Sequence, residues 1–438
     1  MDFLPQFFSA LNVQNIRYSV LRNYQDLPRS TGGSDLDILI NKDDHRQFIS
    51  VLIKVAHCHQ GKKVSVIQSD VCPRICLLGA TNNGWGLMID LHYDKISYRG
   101  YTILSNKMIW KNTFLYKKEV FALNHKADAF VSLFKELLNN QKCTPKYYGD
   151  FKRLTHDKEF IDHVFSDMGK PYLSDFFLKY RHIDFSESVI GDIVSKLNRE
   201  FPKKNLYFLG YWNKLARLRR QPGYTIAFIG ADGSGKSTLI NAIAPALSEA
   251  FHRAVYYEHM RPNKFPSIAR LLGRKEEVKG PVANPHNAPV SGFLGSLARW
   301  GYYMLDYTFG FYLKVYPKKA IRSCVWIFDR YYYDFLIDPK RARINLPRWL
   351  LKLGQKLIPE PDLILCLGAS PEAMHQRKPE LPLTEVKRQV KVLEGFCKNH
   401  KRAVWIDTGQ SPEASANDAI EVIIEKMAGR FEQIDLSI

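Results

Sequence analysis

The sequence has no disulfide framework. Its seven cysteines are scattered and odd in number, which points to free thiols and a reducing compartment. His57, Cys58 and His59, with Cys72 and Cys76, are the one set of zinc-type ligands, but their spacing gives no matched pair of Cys-Cys or His-His motifs. Long apolar runs are also missing. The most apolar stretch, residues 293–316, is broken by Arg299, Asp306 and Lys314, so it reads as a long helix packed in a core and not as a membrane span. Residues 1–10 carry Asp2 and Pro5 and no basic segment, so no secretory signal is expected there and the expected location is cytoplasmic. Acidic residues are scarce: 44 Asp and Glu stand against 63 Lys and Arg, a formal charge of +19. That surplus favours anionic partners, but it is spread over 217–220, 317–319, 340–343 and 398–402, which argues against a dedicated nucleic-acid arm. At 438 residues and 45% hydrophobic, with no internal repeat, the chain can bury two or three ordinary cores.

Residues 230–238, Gly-Ala-Asp-Gly-Ser-Gly-Lys-Ser-Thr, fit the phosphate-loop pattern in full. A β-branched and aromatic strand, 224–229, precedes them, and a helix periodic in Leu239, Ile240, Ile243 and Leu247 follows, with Pro245 expected to kink it. Glycines at 230, 233 and 235 let backbone amides curl around a phosphate, and the helix dipole points there. Ser234 and Thr238 complete the cradle, Lys236 would reach the β- and γ-oxygens of ATP, and Ser237 would take a Mg²⁺ position. Downstream strands end in Asp329-Arg330, at 361–367, and in Asp407, giving the strand–helix rhythm of a doubly wound parallel sheet. Asp329 is placed to hold the Mg²⁺ shell and Arg330 to grip phosphate.

A second segment, Gly33-Ser34-Asp35-Leu36-Asp37, opens a strand in which period two puts both carboxylates on one face. Adjacent carboxylates repel unless a divalent cation lies between them. Asp90, in a later strand at 86–92, would complete a three-carboxylate clamp on one or two Mg²⁺ ions if the two strands are neighbours.

Across about residues 223–430 these motifs resemble the thymidylate kinase family of nucleoside-monophosphate kinases. The resemblance implies that Asp232 faces the acceptor hydroxyl, Arg330 clamps phosphate, Arg377 belongs to a lid over ATP and Asp407 lies near adenine. The acceptor side departs from it: His259-Met-Arg-Pro-Asn263 stands where the family has Arg-Glu-Pro-Gly, and Asp306 stands where it has an arginine for the acceptor phosphate. Asp306 would repel a monophosphate if it faced the site, or pair with Arg299 if it did not. Residues 15–120 resemble the nucleotidyltransferase superfamily that includes DNA polymerase β, which implies phosphate contacts from Gly33 and Ser34 and metal ligands Asp35, Asp37 and Asp90.

The expected architecture is therefore α/β: an α+β nucleotidyltransferase-like domain (1–120), a helical connector (121–222) and a P-loop domain (223–438). The expected activity is ATP- and Mg²⁺-dependent phosphoryl transfer to a hydroxyl acceptor such as a sugar, with nucleotidyl transfer at the first site. By analogy, the joint pattern resembles enzymes of surface-polysaccharide modification. The competing readings are a thymidylate kinase acting on a monophosphate and a non-catalytic nucleotide-responsive regulator. A homodimer is compatible with either. The segment 346–356 sets Arg348, Lys352 and Lys356 beside Trp349, Leu350 and Leu353, a pattern that suits peripheral contact with anionic lipid.

Overall fold

The structure is a computed structural model of the chain, describing residues 2–69, 72–81, 84–183, 186–203, 215, 217–266, 270 and 291–432. Its first sheet is built from β1 (Tyr18–Val20), β2 (Leu36–Ile40), β3 (Gly61–Ile67), β4 (Arg74–Gly79), β5 (Trp85–Tyr93), β8 (Thr113–Tyr116) and β9 (Val120–Leu123), with β6 (Ile96–Tyr98) and β7 (Tyr101–Leu104) forming a separate hairpin. Strand order is β3-β4-β5-β2-β1-β9-β8. The β2–β5 and β1–β9 pairs are parallel and the remainder antiparallel.

Alternation along β2 sends Leu36, Ile38 and Ile40 into a core with Phe3, Phe7 and Phe8 of the helix Phe3–Val13 and Phe48 and Leu52 of the helix His45–Cys58. Leu39 points the other way, into the core of the connector helices, where Phe130 and Phe134 stack with ring centroids 4.3 Å apart. Those helices start cleanly because Asn124, Asp157 and Ser186 each accept the amide three residues on. β2 is thus buried on both faces.

The second sheet contains β10 (Tyr224–Ile229), β11 (Val255–His259), β12 (Val325–Asp329), β13 (Leu363–Gly368) and β14 (Ala403–Asp407) in the order β11-β12-β10-β13-β14, all parallel. β10, β12 and β13 are buried throughout, as continuous apolar strands of a covered parallel sheet must be. This half is α/β in class.

Two local expectations are corrected. The helix Lys236–Ala250 runs through Pro245 as one element. Pro245 and Asn241 are both exposed, so the carbonyl freed by the missing amide opens to water. Residues 293–316 do not form a core-buried helix. They divide into the helix Phe293–Leu305, a wider π-helical segment Asp306–Val315 and the start of the helix Tyr316–Ile321, and one side exposes Leu294, Leu305, Phe309 and Leu313. Apolar composition alone does not say which side of such a helix is covered.

The two halves share a hydrophobic core. Val64, Cys76, Leu78 and Met88 of the first sheet pack with Ile243, Ala246 and Leu247 of the helix Lys236–Ala250 and with Ile420 and Ile424 of the helix Pro412–Ala428. At the closest approach, a Cβ on Gly86 would overlap Ala246 O and Ala250 N. Ser65 Oγ adds a buried hydrogen bond to Pro222 O at 2.8 Å. Gly86→Ala is therefore expected to destabilise the protein by about 1–3 kcal/mol through overpacking. In a thermal melt followed by circular dichroism, the drop should appear as a single transition covering both halves, and two separate transitions would contradict a shared core.

Candidate functional site

β10 delivers the chain to Gly230, where a Cβ would collide with Ser234 Oγ and Leu367 O. Gly233 (φ 80°) and Gly235 (φ 77°) adopt the left-handed conformation that curls the loop before the helix begins at Lys236. Lys236 Nζ is folded over this loop and donates to Gly230 O (2.8 Å), Ala231 O (3.0 Å) and Ser234 Oγ (3.3 Å). Burial, reinforced by Arg330, pushes its pKa down to about 7. Asp232, Asp334 and Asp329 offset this only in part, and a bound polyphosphate would add countercharge.

Asp329 ends β12, beside β10 in register with Phe228. Its Oδ2 accepts from Tyr257 Oη at 2.7 Å and lies 3.6 Å from His259 Nδ1. Burial alone would raise this carboxyl, but His259, Tyr257 and Lys236 outweigh it and hold it ionised well below the usual carboxylate range. Its Oδ1 is buried without a hydrogen-bond partner. A carboxylate with one unpartnered oxygen, lining the same pocket as the loop and Ser237, fits a hard cation such as Mg²⁺ and its water shell.

Arg330 (φ 74°) donates from Nη2 to Asp232 Oδ1 at 2.7 Å, and Arg341 grips the other oxygen of the same carboxylate. Burial works to raise the Asp232 pKa, but Arg330, Arg341, Lys236 and Lys378 prevail and hold it at about 2. Such a carboxylate is a poor proton acceptor at neutral pH. It can orient two guanidinium groups over the loop instead. The pocket of about 270 Å³ is lined by Ser237, His259, Asp329, Arg330, Arg341 and Lys378, besides the loop itself.

A neighbouring cavity of about 190 Å³ lies between Gly235, Thr238, Arg377, Thr408, Gln410 and Pro412. Asp407 is not among its walls. Its Oδ1 accepts the Gly409 amide at 2.7 Å, so it shapes the turn that presents Thr408 and Gln410. Arg341, Lys378 and Gln410 carry no sequence motif, whereas Thr408 closes the Ile406-Asp407-Thr408 turn of the kinase resemblance. Arg341 showed only as part of a basic cluster. Asp306 is fully buried and does not pair with Arg299: it binds Arg261 Nη1 at 2.7 Å and accepts the amides of Asn263, Lys264 and Phe265. It organises the turn at 259–263.

In the first sheet, Asp37 and Asp90 are cross-strand partners on β2 and β5, and ligand oxygens of Asp35, Asp37 and Asp90 lie within 4.8 Å of one another. Arg22 bridges Asp35 (3.3 Å) and Asp37, while Arg74 binds Asp90 in a bidentate way at 2.7 and 3.0 Å. Burial alone would raise Asp37, yet His92 and Arg22 hold it at about 2. A donor set of three carboxylates suits divalent oxygen-seeking ions. Gly33 is in the left-handed conformation (φ 71°) beside this cluster, with Ser34 next to it in the chain. Among the described residues, His57, Cys58, His59, Cys72 and Cys76 form no metal-type group. The acidic trio is the one that does.

No protein-family model matches the chain, and no curated protein matches it in sequence. Among solved structures, it is similar to the crystal structure of thymidylate kinase from Ehrlichia chaffeensis, with 18% identity and a TM-score of 0.31, covering 46% of this chain and 99% of that one. No helix of the described residues is long and apolar enough to cross a membrane.

The loop geometry makes Lys236 the first residue to test. Lys236→Ala removes an ammonium that burial already disfavours, so the melting temperature should hold or rise. Calorimetric titration with Mg²⁺ and ATP should show affinity weakened by roughly a hundredfold, the loss of one desolvated charge contact to phosphate. Unchanged affinity would remove Lys236 from the nucleotide site.

Proposed function

We propose that the second half is an ATP- and Mg²⁺-dependent kinase that phosphorylates a hydroxyl group, as on a sugar or glycan. The observation that carries the kinase reading is that Asp329, whose buried Oδ1 has no hydrogen-bond partner, lines one pocket with Lys236 and Ser237. Ser237 and Asp329 would hold Mg²⁺, whose charge supports the β- and γ-oxygens when it is bound. Lys236 would swing from its loop carbonyls onto the phosphates. Arg330 and Arg341, aligned by Asp232, would meet the transferring phosphoryl group, where a water-poor site strengthens each contact. Phosphoryl transfer of this kind depends on positioning and charge more than on a strong base, which agrees with an Asp232 held at about 2.

The acceptor class follows from what the basic groups near 259–263 already do. Arg261 is buried and committed to Asp306, with further donation to Phe265 O and Pro266 O at 3.4 Å. It is not free to bind a monophosphate. The rival reading, a thymidylate kinase, requires such a cation. Thymidylate should therefore be a poor acceptor, and a screen of sugars and glycans with labelled ATP should find transfer to a hydroxyl. Efficient conversion of dTMP to dTDP by the unaltered protein would restore the rival, whereas ATP binding without transfer to any acceptor would favour a nucleotide-responsive regulator.

We further infer nucleotidyl transfer at the first site, with Asp35, Asp37 and Asp90 as holders of divalent ions and Gly33 and Ser34 as phosphate contacts. Asp35→Asn together with Asp37→Asn should abolish that activity and leave ATP affinity at the P-loop within about twofold, since the sites share no ligand.

Peripheral contact with anionic lipid is supported by the helix Arg348–Leu357. It exposes Trp349 (67%), Leu353 (46%) and Leu357 (59%) beside Arg348, Lys352 and Lys356. The segment 339–359 contains no acidic residue. Trp349→Glu should reduce sedimentation with phosphatidylglycerol vesicles, and equal sedimentation of both proteins would dismiss this surface.

A further inference from the structure

The first sheet's inner face is divided between two neighbours. The connector covers Leu39 of β2, the P-loop half covers Met88 of β5, and Asp90 emerges where the two coverings meet. At that seam lies a cavity of about 620 Å³ that belongs to neither half alone. Asp90 and Arg74 line one side, and Arg217, His252 and Arg322 line the other. One carboxylate thus faces three arginines and a histidine, and that carboxylate is already bound by Arg74.

The turn after the helix Lys236–Ala250 places His252 in the cavity wall and the next residue, Arg253, against the Gly33 loop. His252 (φ 47°) and Arg253 (φ 61°) are consecutive non-glycine residues in the left-handed conformation, an arrangement that costs energy and fixes where their side chains go. Arg253 Nη2 lies 3.5 Å from the position of a Cβ on Gly33, so its guanidinium reaches the Gly33-Ser34 loop of the first site. Among the described residues, Arg217, Arg253 and Arg322 make no ion pair with a carboxylate. Arg217 donates only to a carbonyl, Ile321 O, and burial together with neighbouring Arg74 depresses its pKa. Guanidinium groups gathered around one carboxylate that Arg74 already occupies, with Arg217 partly buried and repelled by Arg74, are the arrangement a multivalent anion relieves.

We propose that this seam is a polyphosphate site built by both halves, in which Arg217 and Arg322 grip the phosphate chain of a nucleoside triphosphate opposite Asp90 and Arg74, while Arg253, next in the chain to the cavity-lining His252, holds the Gly33–Ser34 loop beside it. It rests on the reading of the first half as a phosphate-handling site and adds that this half does not encode all of its own binding groups. The volume suits a nucleotide, since ligand cavities of about 300–1,000 Å³ are usual.

The test uses the full-length Lys236→Ala chain, in which the P-loop is silenced, titrated calorimetrically with Mg²⁺ and ATP, CTP, GTP or UTP in turn, and with Mg²⁺ and tripolyphosphate. Residual binding is expected for at least one nucleotide. Tighter binding than tripolyphosphate shows that the base is read, and equal binding shows recognition of the phosphate chain alone. Adding Arg253→Ala or Arg322→Ala should weaken it roughly tenfold each, and Arg253→Lys should recover part of the loss. Both residues are exposed, so these variants are expected to fold. In the unaltered background they should leave P-loop affinity unchanged, a separation that a general loss of structure would not give. Residual binding abolished by Asp35→Asn with Asp37→Asn but indifferent to the arginine changes would overturn the proposal and leave the first-site reading standing. Absence of any residual binding would overturn both.

Discussion

The contact on which the arrangement depends is the approach of the helix Lys236–Ala250 to Gly86 of β5. Only a residue without a side chain lets the backbone of Ala246 and Ala250 lie on the strand. β5 carries Gly86 and Asp90 on one face, and the helix carries the phosphate loop at its start and the Arg253 turn just past its end. Fifteen residues of helix span about 22 Å from the phosphate loop to this contact. One rigid rod therefore begins at the P-loop and ends beside β5 and the turn that carries Arg253.

Each site manages its charge differently. Around the P-loop, a carboxylate is spent to align cations: Asp232 holds Arg330 and Arg341, and Asp306 holds Arg261. Around the first site, cations are spent to hold carboxylates: Arg22 and Arg74 occupy Asp35, Asp37 and Asp90. The first arrangement presents positive charge to an incoming phosphate. The second sets two arginines against three close carboxylates, and an entering divalent ion would compete with those arginines for them.

Asp407 and Asp306 illustrate why site residues are harder to read than site loops. Both stood at positions that motif logic linked to ligands, and both make hydrogen bonds to backbone amides that shape a turn. A carboxylate near a nucleotide pocket can serve the ligand or the loop, and the choice depends on which amides lie within 3 Å. Thr408 and Gln410 line the cavity because Asp407 holds that turn.

The sequence alone determined the phosphate loop, since the glycine positions, Lys236 and the preceding apolar strand are local and each has a local physical reason. It also determined the strand alternation that puts Asp35 and Asp37 on one face, and the apolar runs that became β10, β12 and β13. Only tertiary structure decided that β2 and β5 are neighbours, that Asp90 therefore meets Asp37, and that Asp306 binds Arg261 instead of Arg299. It also decided that the halves share one core and that an arginine from the P-loop half reaches Gly33. These pairings join residues far apart in the chain. Periodicity and spacing report what a segment's own backbone does, whereas a partner dozens to hundreds of residues away is chosen by the packing of whole elements.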